Sequence, residues 1–151
     1  MPESQTRSVS LPTGLALSLL WASLMGLYIY NDYFNLYAPG TIEHMMAGKI
    51  EPLGTATNGI MMAVSIMLAI PSLMIFLSAA LPHVISRWLN LVLGVVYTAV
   101  EVMTLRGPRP SYTMVVVLEI LITLTIIVYA VRWTRPAARA PQDVVVARPG
   151  A

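Results

Sequence analysis

The sequence predicts an all-α membrane protein: four transmembrane helices in an up-down bundle, with a short interfacial helix in the first outer loop. Three observations predict it. Of 151 residues, 57% are hydrophobic and 11% are charged, whereas soluble domains carry roughly 45–50% apolar and about 25% charged residues. Mean hydropathy is +0.73, and a soluble domain of this size cannot hide so much apolar surface. Finally, four separate stretches each reach the ~20 mostly apolar residues that a rise of ~1.5 Å per residue needs to cross ~30 Å of hydrocarbon.

The first span covers about 13–33, beginning after Pro12 and ending in the polar, aromatic run Tyr30-Asn31-Asp32-Tyr33. Arg7 is a thin positive flank, Leu15 to Tyr30 is long for the apolar part of a signal peptide, and tyrosines follow where a small-residue cleavage site would stand. The segment therefore reads as a retained span. In the loop from Phe34 to Gly54, Pro39-Gly40 precedes Thr41, a candidate cap for a short helix with Glu43 in its first turn. Ile42, Met45, Met46 and Ile50 then share one face, which predicts an interfacial helix lying over the outer end of the bundle.

The second span covers about 55–80, opened by Thr55, Thr57 and Asn58 and closed by Pro82. Pro71 within it predicts a kink and leaves the Met67 carbonyl without its usual donor, to be satisfied by Ser72 or water. The third covers about 86–105, with Ser86 as N-cap and Trp88 at an interface. The fourth covers about 111–131, between Tyr112 and Arg132-Trp133. The tight connections Leu81–Ile85 and Arg106–Pro110 predict that spans two, three and four pack antiparallel in chain order. Residues 1–12 and the Pro-, Ala- and Arg-rich residues 134–151 lack periodicity and read as disordered, leaving 13–133 as the membrane domain.

Arginine and lysine set the orientation. Arg7, Arg87, Arg132, Arg135, Arg139 and Arg148 fall on the side of the termini, against Lys49, Arg106 and Arg109 on the other. Both termini are therefore expected in the cytoplasm and the chain in a cell's inner membrane. The absence of cysteine removes disulfides, thiolate metal sites and iron–sulfur clusters. A net charge of +2 is too small for a nucleic-acid footprint. No nucleophile triad, phosphate loop or metal-ligand spacing stands in the sequence, so neither catalysis nor a cofactor is expected. His44 beside Met45 and Met46 offers soft ligands for copper, but these methionines fit an apolar face. His83 reads as an interface residue, and two histidines on opposite sides of the membrane do not form a bis-His haem site. Ala22 and Gly26 form a small-xxx-small pair suited to close helix packing.

Polar residues inside the spans carry the functional question, because ionisable groups in hydrocarbon are costly. Glu101 lies five residues before Arg106, roughly 7.5 Å below the outer turn, and Glu119 lies eight residues after Ser111, roughly 12 Å below it. Each span has a polar stripe: Ser18, Trp21, Met25, Tyr28 and Asp32; Asn58, Met62, Ser65, Ala69 and Ser72; Asn90, Gly94, Tyr97 and Glu101; and Tyr112, Glu119, Thr123 and Ala130. If all four face inward, Asp32, Asn58, Tyr97, Glu101 and Glu119 line a wet outer-half pocket able to bind a proton or a cationic ligand. Two nearby carboxylates at low dielectric do not both ionise easily. The purely structural alternative pairs Glu101 with Arg106 or Arg109, and Glu119 with Tyr97, Tyr28 or Asn58.

Leu20-Trp21, Tyr30-Asn31-Asp32, Pro39-Gly40, Met46-Ala47-Gly48-Lys49-Ile50, Ile70-Pro71, Met74-Ile75-Phe76-Leu77-Ser78, Arg87-Trp88-Leu89-Asn90, Glu119 and Tyr129-Ala130-Val131-Arg132-Trp133 stand in an order that resembles an uncharacterised family of small four-helix bacterial membrane proteins. The resemblance covers roughly Leu15 to Trp133 and implies four spans and a bacterial inner membrane, with no activity attached. Small multidrug-resistance transporters are similar in architecture only: their essential glutamate lies in the first span, and Thr13 to Tyr30 holds no acid. DoxX-like subunits of quinone-linked redox systems resemble the layout more closely. Three functions follow as expectations: a non-catalytic binding or accessory module for a small lipophilic or cationic molecule, a proton-coupled transporter acting through Glu119, or a redox subunit. Membrane lipid, a second copy or another membrane subunit are the expected partners, and nucleic acid is not.

Overall fold

The computed structural model describes residues 11–50, 53–105 and 109–133. The expectations for the N-terminal ten residues, for 134–151 and for Arg106 lie outside the described residues. The architecture is all-α. Its long helices are α1 (Thr13–Asn35), α3 (Asn58–Ala80), α4 (His83–Thr104) and α5 (Pro110–Arg132), with a short α2 (Thr41–Met46) after the first. Each of the four is long and apolar enough to cross a membrane, as in a multi-pass membrane protein. Large apolar side chains such as Ile66, Phe76, Val92 and Met114 point outward along them.

The helix boundaries follow local chemistry. Pro12 precedes α1 and its carbonyl accepts from the Ala16 amide at 3.0 Å. Thr57 caps α3, its hydroxyl accepting from the Ile60 amide at 3.3 Å. Pro82 ends one helix and starts the next, so α4 begins at His83, three residues earlier than expected. Ser86 is consequently no cap: it lies buried inside the first turns, where its hydroxyl donates to the Ser78 carbonyl at 2.9 Å. Thr41 likewise is the first residue of α2 rather than its cap, because Gly40 takes the boundary position with φ 85°.

The loop after α1 departs from expectation in two ways. A small antiparallel ladder pairs β1 (Lys49–Ile50) with β2 (Gly54–Thr55), in the register Lys49 to Thr55 and Ile50 to Gly54. Two-residue strands are too short to leave a readable period. The α2 helix forms as predicted but has β1 as its main neighbour, and Ile42, Met45 and Met46 stay exposed rather than buried over the helix ends.

Among the long helices, α1 with α3 and α4 with α5 make the broadest contacts, and α1 with α5 joins the two pairs. The α3–α4 contact is thin despite the short connection, so chain-order packing holds for α4 and α5 but only weakly for α3 and α4. Missing side chains explain the broad seams. A Cβ on Gly14 would sit 2.9 Å from the Ser78 carbonyl oxygen of α3, and one on Gly94 would sit 2.8 Å from Ile127 Cγ1 of α5. Glycine at those two points lets the helices close up. The Ala22/Gly26 pair does not serve this purpose, since a Cβ on Gly26 would meet nothing within 4 Å.

The core is the cluster of Leu17, Trp21, Leu24, Met74, Tyr97 and Ile126. It sits toward the end of the molecule where α1 begins and α5 ends. Burial is uneven along two of the helices: α1 buries nothing after Leu24 and α3 nothing before Pro71, while α4 and α5 bury residues along their whole length.

Candidate functional site

The polar stripe of α4 faces inward as predicted, with Asn90, Gly94, Tyr97 and Glu101 all buried. That of α5 does too, through Glu119, Thr123 and Ala130. The stripe of α3 does not. Asn58, Met62, Ser65, Ala69 and Ser72 are exposed, and the buried face carries Pro71, Met74 and Ser78. The two serines can face outward because each hydroxyl is satisfied on its own helix: Ser65 donates to Met61 O at 2.9 Å and Ser72 to Leu68 O at 3.0 Å. Asn58 therefore stands apart from the other candidates.

Two polar clusters result, at opposite ends of the four helices. At the end of the termini, Asn90 is the hub. Its Oδ1 accepts from Trp21 Nε1 at 2.7 Å and from Ser78 Oγ at 3.0 Å, and its Nδ2 donates to Ser86 O at 2.8 Å. One amide thus joins α1, α3 and α4, with every partner buried. Arg87 reaches α5 nearby, donating from Nε to Ala130 O at 3.1 Å and from Nη2 to Val131 O at 3.2 Å, carbonyls that a helix end leaves without amide partners. His83 packs edge-on against Trp133, with ring centroids 4.9 Å apart.

At the α2 end the hub is Glu101, only 2% exposed. Oε1 accepts from the Tyr28 hydroxyl of α1 at 2.7 Å, and Oε2 accepts from Thr123 Oγ1 of α5 at 2.8 Å. Thr98 Oγ1 lies 2.9 Å from Thr123 Oγ1 and extends the cluster along α4. Glu119, four residues before Thr123 and 3% exposed, is different: its Oε1 is buried and has no hydrogen-bond partner among the described residues. Glu101, bonded to Thr123 one turn along the same helix, is its acidic neighbour on α4. Asp32 itself is exposed near the end of α1, one turn beyond Tyr28.

The two predicted glutamates are therefore together, buried, and supported from α1 and α5. The purely structural pairings are not formed among the described residues: Arg109 donates from Nη1 to Asn35 Oδ1 at 2.7 Å, and neither Tyr28 nor Asn58 reaches Glu119. Tyr97 also belongs elsewhere. Its hydroxyl donates to Met67 O, the carbonyl that Pro71 deprives of its amide, and its ring meets Trp21 edge-on at 5.7 Å. The expected donors, Ser72 or water, are replaced by a side chain from the neighbouring helix, while α3 continues as helix through Pro71.

Sequence reasoning placed Tyr28 and Thr123 on inward stripes but did not single them out as the groups that hold Glu101. Their signal was present, since a phenol and a hydroxyl on those stripes are the natural donors to a buried carboxylate. A groove of about 360 Å3 between α1 and α5 is a separate feature, lined by Ser23, Leu27, Leu118, Leu121, Ile122 and Thr125. No carboxylate lines it, and both hydroxyls are spent on their own helices.

The model of a family of unknown function, DUF6326, matches residues 13–139, and the chain belongs to that family. No curated protein matches, and no solved structure does.

Proposed function

We propose that this member of the DUF6326 family is a non-catalytic binding or accessory module of a cell's inner membrane, with both termini in the cytoplasm, and that it holds a small lipophilic cation against Glu119. One observation carries the reading. Glu119 Oε1 is buried within a helix apolar enough to span a membrane and makes no hydrogen bond among the described residues. A buried acceptor left without a donor is expensive and is retained where it has a use. Its surroundings suit a cation. Glu101 stands beside it through Thr123, α3 contributes no titratable side chain, and Arg109 is engaged by Asn35. Membrane lipid and a second membrane subunit remain its expected neighbours.

The transporter alternative requires passage through the Trp21, Met74, Tyr97 and Ile126 core, which is packed shut, so a holding role is the simpler reading. The test uses the purified full chain in detergent and tetraphenylphosphonium as the lipophilic cation. Saturable binding is expected, weakened at least tenfold by Glu119→Gln and unaffected by Asn58→Ala. Equal affinity in wild type and Glu119→Gln overturns the reading.

A further inference from the structure

We infer that the cation displaces one proton from Glu119 and that both exchange with the α2 side of the membrane alone; this rests on the binding reading above. Hydrogen bonding divides the labour between the two acids. Both oxygens of Glu101 accept, from Tyr28 and Thr123, which holds Glu101 as the acceptor of the pair. Glu119 has no donor at Oε1 and is 3% exposed, so the pair's one proton resides there. When a cation arrives, the Glu119 O–H bond breaks, the proton leaves to water, and the carboxylate pairs with the cation. The charge of the site is thereby conserved.

The route follows from where burial stops. Toward the α2 end, α1 buries nothing after Leu24 and α3 nothing before Pro71, and Asp32 stands exposed one turn beyond Tyr28. Glu101 is three residues from the end of α4, about 4.5 Å along the axis. In the other direction Trp21, Leu24, Met74 and Ile126 are closed around Tyr97. The hydroxyls of Tyr97 and Ser86 are spent on the Met67 and Ser78 carbonyls. Around Glu119, α4 contributes Glu101, held by Thr123 one turn along α5; α1 contributes Tyr28, bonded to Glu101, and Asp32 one turn beyond it; Tyr97 lies one turn deeper on α4, and α3 carries no titratable group.

Two measurements on the full chain separate this inference from the reading beneath it. In calorimetric titration with tetraphenylphosphonium in two buffers of different ionisation enthalpy, one proton is released per cation bound. Affinity then tightens about tenfold per pH unit while the free site is protonated, and levels off once Glu119 has lost its proton. Binding without proton release overturns the inference and leaves the binding reading standing; absence of binding overturns that reading. The second measurement needs no ligand. The infrared carbonyl band of a protonated carboxylic acid is expected in wild type and lost in Glu119→Gln with melting temperature unchanged. In oriented liposomes the band responds to pH on the α2 side alone. Persistence of the band in Glu119→Gln, or response to pH on the side of the termini, overturns the inference.

Discussion

The two ends of the molecule solve the same problem in opposite ways. Both bury polar side chains inside helices that are long and apolar enough to cross a membrane. Where α1 begins and α5 ends, uncharged side chains form a network around Asn90, closed by Trp21, Ser78 and Ser86, all of them buried. At the α2 end the hub is a carboxylate, Glu101, its neighbour Glu119 is left with an unpaired oxygen, and α1 and α3 bury little. A satisfied neutral network holds helices together, whereas a half-satisfied acidic one sacrifices stability that only a ligand or proton restores. On the proposed reading, the first end serves cohesion and the second serves exchange.

Substitutions that break this contrast should differ in size. The largest effect is expected from Asn90→Leu, which strands the Trp21 indole N–H and the Ser78 hydroxyl in a dry interior. It should lower stability by about 2–4 kcal/mol, read by denaturant titration in mild detergent. At the α2 end, Glu101→Leu removes the acceptor of Tyr28 and Thr123 and should cost about 1–3 kcal/mol. Glu119→Leu removes a group with nothing to lose and should leave stability unchanged or raise it by about 1 kcal/mol. Equal losses in those two variants would show that Glu119 is a packing residue.

The glycines sharpen the same comparison. Gly14→Ala drives a methyl against the Ser78 carbonyl oxygen and should cost about 1–2 kcal/mol, whereas Gly26→Ala meets open space and should gain up to ~1 kcal/mol of helix propensity. The smallest loss belongs to the link between the two ends. Tyr97→Phe removes the donor to Met67 O and should cost about 0.6–1.7 kcal/mol, the range of hydrogen bonds between helices in membranes. That loss should shrink in a Pro71→Ala background, where the helix supplies its own amide; a double-mutant cycle reads the difference.

Four helices were legible in the sequence because apolar length is a one-dimensional signal: a run of about 20 residues either spans the hydrocarbon or does not. The inward stripes of α4 and α5 were legible for a related reason, since the acceptor oxygens of Asn90 and of the two glutamates find no free donor on their own helix. Ser65 and Ser72 do have one, through the carbonyl four residues back, and so the α3 stripe misled. What the tertiary structure alone decided is partnership. That Tyr28 and Thr123 serve Glu101, that Tyr97 serves the carbonyl freed by Pro71, and that Glu119 keeps one oxygen unpaired depend on the rotation and separation of neighbouring helices. Those are fixed by glycine contacts such as Gly14 against α3 and Gly94 against α5, whose meaning lies in what stands opposite them.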